Sequence, residues 1–189
     1  MSSKNPYHHG DLPTALVRAA VELLEEGGAT ALSLRAAARR AGVSTAAPYR
    51  HFPDRAALLS AVAAVGYQEL ATELVAASPT PSTPDDLANI AIAYVRFALD
   101  RPGLFRAMFT EECDKDNPER VAAVAAVHDY LHYIVKQAVP SPDPDSMATA
   151  LWALVHGLAF LHLDGKMDAS SNDEVAARIR AVTAAALLR

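Results

Sequence analysis

One cysteine, one tryptophan and an aromatic share of 6% leave this 189-residue chain few of the usual means of cross-linking or stacking a core. Cys113 alone cannot close an internal disulfide, which removes the small cross-linked secreted scaffold from consideration. Long apolar runs are equally scarce. The longest, ALWALVHGLAFLHL at 150–163, is shorter than a bilayer span and holds two histidines, so it reads as a buried helix and no membrane partner is expected. The opening MSSKNPYHHGDL lacks the apolar centre of a secretory signal; with the single thiol it predicts a cytoplasmic protein. No alternating strand pattern, internal repeat or low-complexity tract is present. What is abundant is alanine, within a hydrophobic content of 51% and a charged content of 21%, and that combination predicts an all-α globular fold.

Net charge is −5, which by itself argues against a nucleic-acid partner, but the average hides an asymmetry. Residues 1–55 hold seven Lys/Arg against five Asp/Glu, whereas residues 56–189 hold ten against seventeen. Within 33–55 the count is five Arg against one Asp. A basic patch on an acidic body is the electrostatic footprint of a small phosphate-binding module.

Caps and breakers divide the chain into about nine helices. Asp11 opens a first helix that carries Leu12, Leu16, Ala19, Ala20 and Leu23 on one face and stops at Gly27-Gly28. Ser33 caps a second, Leu34 to Ala41, whose last turn holds Arg39 and Arg40; Gly42 supplies the left-handed residue beyond it. Ser44 caps a short third helix ending at Phe52-Pro53, and Asp54 caps a fourth that runs to Ala77. Further helices are expected over 84–100, 103–109, 117–138, 144–164 and 173–188, separated by Pro-rich or acidic loops. The 117–138 helix is read with a stripe of Val121, Val124, His128, Leu131, Val135 and Ala138.

A tight Gly42-Val43-Ser44 turn between two short helices is the geometry of a helix-turn-helix, which presents its second helix to the major groove. Thr45, Ala46, Tyr49 and Arg50 fall on the exposed positions of that helix, while His51 and Arg55 reach flanking phosphates and Arg35 joins the same basic surface. Pro48 lacks an N–H and restricts Ala47, so it should loosen or delay the helix's first turn.

Residues 7–66, including LSLR, AARRAGVS, YRHF and ALL in that order, resemble the DNA-binding domain of the TetR family of transcriptional regulators. LWALVHGLAFL, with Trp152, His156 and Gly157, is similar to the C-terminal effector domain of the Trp/His-Gly (WHG-type) TetR subgroup. The resemblance implies a three-helix DNA-binding domain at 1–53 followed by a helical ligand-binding and dimerisation domain at 54–189. It also implies a dimeric regulator, most simply a repressor, that a small apolar or aromatic ligand releases from a palindromic double-stranded operator. Matched position by position, Ser44, Thr45, Ala46, Tyr49, His51 and Arg55 fall on DNA-contact positions of the family, and Phe52 falls on the aromatic that anchors the third helix.

In the second domain, Tyr94, Phe97, Phe105, Met108, Phe109, His128, Trp152 and His156 are the candidate ligand-binding residues, because a cavity among helices is built from such side chains. Leu151, Val155 and Leu158 of the apolar 144–164 helix, with Val175, Ile179 and Val182 of the next, are the expected homodimer interface. Two rivals remain at this point. One is a small metal-dependent enzyme using His128 and His132, which stand at i and i+4, a spacing that chelates a metal; HDYLH lacks the glutamate of HExxH, so no catalytic residue, metal or cofactor is expected. The other rival is a dimeric scaffold or co-regulator that does not bind DNA, a reading that Pro48 favours.

Overall fold

The computed structural model describes residues 12–187, and every described regular element is helical. In order these are α1 (Leu12–Gly27), α2 (Leu34–Arg40), α3 (Arg55–Ala77), α4 (Pro84–Asp100), α5 (Pro102–Phe109), α6 (Pro118–Ala138), α7 (Pro144–Leu163) and α8 (Asn172–Leu187). Single 3-10 turns at Ala29–Ala31 and Ala47–Arg50 flank α2. The expected start at Asp11 and the expected end of the last helix at 188 lie outside the described residues.

Local chemistry sets most boundaries. Ser33 Oγ accepts from the Ala36 N–H at 3.1 Å and Asp54 Oδ1 from the Ala57 N–H at 2.9 Å, which satisfies the free donors that open α2 and α3. Thr83 and Asp86 form a reciprocal capping box on α4, and hydrogen bonds from the Ser82 N–H first, then from the Thr83 and Ser78 hydroxyls, hold the pKa of the Asp86 carboxyl down to about 2. Proline stands in the first turn of α4, α5, α6 and α7, where its missing N–H leaves no hydrogen bond unmade.

Three expectations need correction. The third helix is a 3-10 turn that starts at Ala47 without a side-chain cap, not an α-helix from Ser44. Pro48 lies in its first turn and cannot donate, so the chain closes one tight turn and leaves 44–46 outside it. The buried stripe of α6 is Ala123, Val127, Leu131, Ile134, Val135 and Ala138, whereas Val121 is 48% exposed. Alanine fits where helices approach closely, and its small apolar weight shifted the stripe read from the sequence. Finally, Val155, Leu158, Val175 and Ile179 are no more than 8% exposed within a single chain, so they hold α7 and α8 to their own protomer and cannot cover a partner.

One continuous hydrophobic core runs from Leu16 of α1 to Ile179 of α8. α5 is seated on the end of α1 by a specific contact: the Glu25 carboxylate accepts from the Gly103 and Leu104 N–H groups at 3.0 and 3.1 Å, capping α5 from another helix. Arg101 pairs with Glu25 at 3.3 Å and with Glu69 of α3 at 2.7 Å. A Cβ on Gly103 would stand 2.2 Å from the Leu24 carbonyl oxygen, so only glycine permits this approach. By length and hydropathy α7 is the one described helix able to span a membrane, yet only 28% of its most apolar stretch is buried, leaving an uncovered face.

Candidate nucleic-acid interface and effector core

The face expected to meet DNA is built from α2, the turn after it and the 3-10 turn at Ala47–Arg50. Gly42, at φ +71°, ends α2: its N–H donates to the Arg39 carbonyl at 3.1 Å and the Val43 N–H donates to the Ala38 carbonyl at 3.0 Å. That paired closure fixes where the chain turns. Pro48 and Phe52 are then buried, and the His51 and Phe52 N–H groups both donate to the Pro48 carbonyl at 2.9 Å. Between these two anchors Tyr49, Arg50 and His51 point outward, Tyr49 with 51% of its surface exposed. Arg35, Ser44, Thr45 and Ala46 are exposed as well. Seven of the eight expected DNA-contact residues therefore stand in solvent, where a polyanion can reach them.

Arg55 differs. Its guanidinium donates to the Ala29 carbonyl at 2.9 Å, to the Leu32 carbonyl at 3.3 Å and to Glu111 at 3.0 Å. It ties the segment before α2 to the loop after α5, with 39% of its side chain still exposed. The sequence gives no signal of this, because Glu111 lies far along the chain. Arg40 is similarly committed, to Glu22 and Glu26 of α1.

Of the expected ligand-binding residues, six form one packed aromatic group. Phe105 is fully buried and lies 5.7 Å from Tyr94, 4.8 Å from Phe109 and 5.9 Å from His156 between ring centroids; Trp152 meets His128 edge-on at 4.7 Å. Phe97 packs beside Phe105, while Met108 lies under α3 against Gly66. The Trp152 Nε1–H donates to the Tyr94 hydroxyl at 3.3 Å, and the same hydroxyl is hydrogen-bonded to His156 Nδ1 at 2.9 Å. Burial lowers the pKa of His156 from the ordinary histidine value. Burial likewise pushes the Tyr94 phenol well above the usual range.

A small cavity adjoins this group among α4, α6, α7 and α8. Tyr94 and Trp152 line it, together with Leu151 and Val155, which were expected at a dimer surface. Leu74, Ile90, Leu131, Ala148 and Thr183 complete much of its wall and were missed, because their spacing is that of any core stripe. Thr183 alone left a trace in sequence: it stands four residues after Ile179, in a register that buries apolar side chains.

The metal alternative finds no support. His132 Nδ1 donates to the His128 carbonyl at 2.8 Å and its Nε2 faces Asp145 at 3.5 Å, so the two imidazoles do not converge. Among the described residues no group of three metal-ligating side chains is brought together.

Comparison with known proteins agrees with this arrangement. Residues 16–62 match the profile for bacterial regulatory proteins of the tetR family, and residues 87–186 match that for the tetracyclin repressor-like C-terminal domain. A protein of unknown function from Rhodococcus sp. RHA1 is 34% identical, superposes with a TM-score of 0.81 and is matched over 98% of this chain and 100% of its own. A TetR transcriptional regulator from the same source is 25% identical with a TM-score of 0.61, over 93% and 95% of the two chains. An HTH-type transcriptional regulator of Mycobacterium tuberculosis is 24% identical over 85% of this chain and 74% of its own.

Proposed function

The chain belongs to the tetR family of bacterial regulatory proteins and is a DNA-binding transcriptional regulator; from that premise we propose that it is a cytoplasmic repressor, released from a near-palindromic operator by a small molecule. The observation that carries the DNA surface is the exposed Tyr49-Arg50-His51 triplet, held between buried Pro48 and Phe52 beside exposed Arg35 and Ser44–Ala46. Arg50 donates to base or phosphate, Tyr49 packs on the backbone, and the short 44–46 side chains let the main chain approach the groove. The DNA-reading unit occupies 1–53 and the effector unit 54–189, with α3 as the shared link.

A second copy covers α7 and α8. Their outward faces carry Ala153, Gly157 and Leu161 on α7 and Ala177 and Ala181 on α8, all exposed, and a Cβ built on Gly157 would touch nothing. Small side chains on two adjacent helices suit the close crossing of a four-helix interface. The dimer then sets the two DNA surfaces to half-sites in equivalent groove positions.

Release operates through α5. An effector among α4, α6 and α7 displaces the aromatic group around Phe105 and Phe109, hence Glu111, which pairs with Arg55, and Arg55 holds the carbonyls of Ala29 and Leu32 just before α2. A ligand that prefers the displaced arrangement weakens operator binding by its ratio of affinities for the two states. Selecting bound duplexes from a random pool tests the reading. The expected product is one near-palindromic sequence bound in a salt-sensitive way, and equal weak binding to every duplex would refute it.

A further inference from the structure

Thr183 is 3% exposed, its hydroxyl has no hydrogen-bond partner, and its side chain lines the cavity among α4, α6, α7 and α8. Every other polar group in that wall is already engaged. The Trp152 Nε1–H goes to the Tyr94 oxygen and the Tyr94 hydroxyl is also bonded to His156 Nδ1, while the remaining lining is aliphatic, such as Leu87, Ile90 and Ile134. No Asp, Glu, Lys, Arg or His lines the cavity. An ionised ligand would lose its hydration there and gain no counter-charge, which excludes carboxylates and ammonium compounds.

We infer that this cavity takes an uncharged lipophilic molecule bearing a single hydroxyl or carbonyl, bound through the Thr183 hydroxyl with its apolar body against Trp152. The inference rests on the effector reading above and narrows it to a ligand class and an anchoring residue. A hydroxyl donates and accepts, so Thr183 meets an alcohol or a ketone equally well. Water is a poor occupant by comparison, since a held water needs roughly two to four polar partners and this wall offers one uncommitted group.

Size supplies the link to regulation. The cavity itself measures about 40 Å³, within about 480 Å³ of empty space that includes its open mouth. Ligand pockets usually run from roughly 300 to 1,000 Å³. A ligand with a lipophilic body therefore enters only as α6 and α7 part from α4, and binding selects the expanded arrangement instead of filling a preformed one.

Trp152 is the sole tryptophan of the chain and lies in the cavity wall, so its emission reports occupancy in the full-length protein. The probes are three eight-carbon compounds: 1-octanol, octanoate and octylammonium. 1-Octanol is expected to shift Trp152 emission saturably and to bind at least about tenfold more tightly than either ion. Thr183→Val, of the same shape but without the hydroxyl, should weaken 1-octanol by roughly tenfold while the ligand-free melting temperature holds or rises, because an unpaired buried hydroxyl is removed. Thr183→Ser, which keeps the hydroxyl, should retain the preference for the alcohol. The inference is overturned if 1-octanol shows no saturable binding, if either ion binds as tightly, or if Thr183→Val binds 1-octanol like the parent. Operator titrations separate the two readings. Thr183-dependent binding of 1-octanol that leaves operator affinity unchanged keeps this inference and removes release by effector; release of operator by a charged compound while 1-octanol fails to bind does the reverse.

Discussion

Tyr49, Arg50 and His51 stand in solvent between two buried anchors, whereas Tyr94, Trp152 and His156 are hydrogen-bonded to one another inside packed helices. The first set is the one proposed to meet a large polyanion, which brings its own charge and water and needs donors that are already exposed. The second belongs to a packed core, where polar groups removed from water satisfy one another. Rigidity follows the same division. A paired turn at Gly42 and a single turn at Pro48 set the first region within a dozen residues, while the second depends on contacts between segments far apart in sequence.

The contrast between inner and outer faces breaks most visibly on α7. Leu158 is 4% exposed and Leu161 is 39% exposed, three residues apart on one helix. Leu158→Glu places a carboxylate in the protomer core without a partner, a cost on the order of 3–5 kcal/mol against a total stability of about 5–15 kcal/mol, and should yield unfolded or insoluble protein. Leu161→Glu should stay folded and become monomeric at micromolar concentration. Circular dichroism with light scattering checks both. A folded Leu158→Glu dimer, or a Leu161→Glu variant that remains dimeric, would remove the distinction between the two faces.

Two arginines sharpen the comparison between surface and link. Arg50 is exposed, so Arg50→Ala should weaken operator binding by an amount on the order of 1–3 kcal/mol and leave the melting temperature unchanged; Tyr49→Ala should behave in the same way. Arg55 is held by two carbonyls and Glu111, so Arg55→Ala should lower stability by about 1 kcal/mol, a modest figure because the pair is partly open to solvent. Glu111→Gln should leave Arg55 on its two carbonyls and reduce ligand-driven release more than stability. Equal effects of Arg50→Ala and Arg55→Ala on stability and on operator affinity would mean that the two residues do one job.

Legibility in the sequence follows the range of each interaction. Ser33, Asp54, Thr83 and Asn117 act within three residues of themselves, and their helices begin where those residues place them. Pro48 was readable for the same reason, as a delay whose size the structure supplies. Arg55 was not, since its partners Ala29 and Glu111 are brought to it only by tertiary packing. Apolarity identified α7 and α8 as packing helices but could not divide their faces. Leu158 and Ile179 turn inward, and the small Gly157 and Ala181 turn outward. A cavity is harder still, because it arises where packing stops short, and only misplaced polarity at Thr183 marks it.

The smallest expected effect concerns His156. Burial lowers its folded pKa below the ordinary histidine value, so at mildly acidic pH the unfolded chain binds a proton that the native protein resists. This contribution to stability is present above the ordinary histidine pKa and is lost as pH falls below it toward the folded value. The loss is modest, since the ring is only half-buried. Protonation makes both ring nitrogens donors, so Nδ1 then donates to the Tyr94 oxygen that already accepts from Trp152 Nε1, and the cation beside the phenol disturbs that contact. Trp152 emission should therefore change over the same pH interval in which stability declines. His156→Gln supplies an amide that neither titrates nor reverses its role, and it should flatten both responses. If emission stays constant through that interval in the parent protein while stability falls, the proton is entering elsewhere, and the Tyr94–His156 bond does not govern the polar interior of this domain.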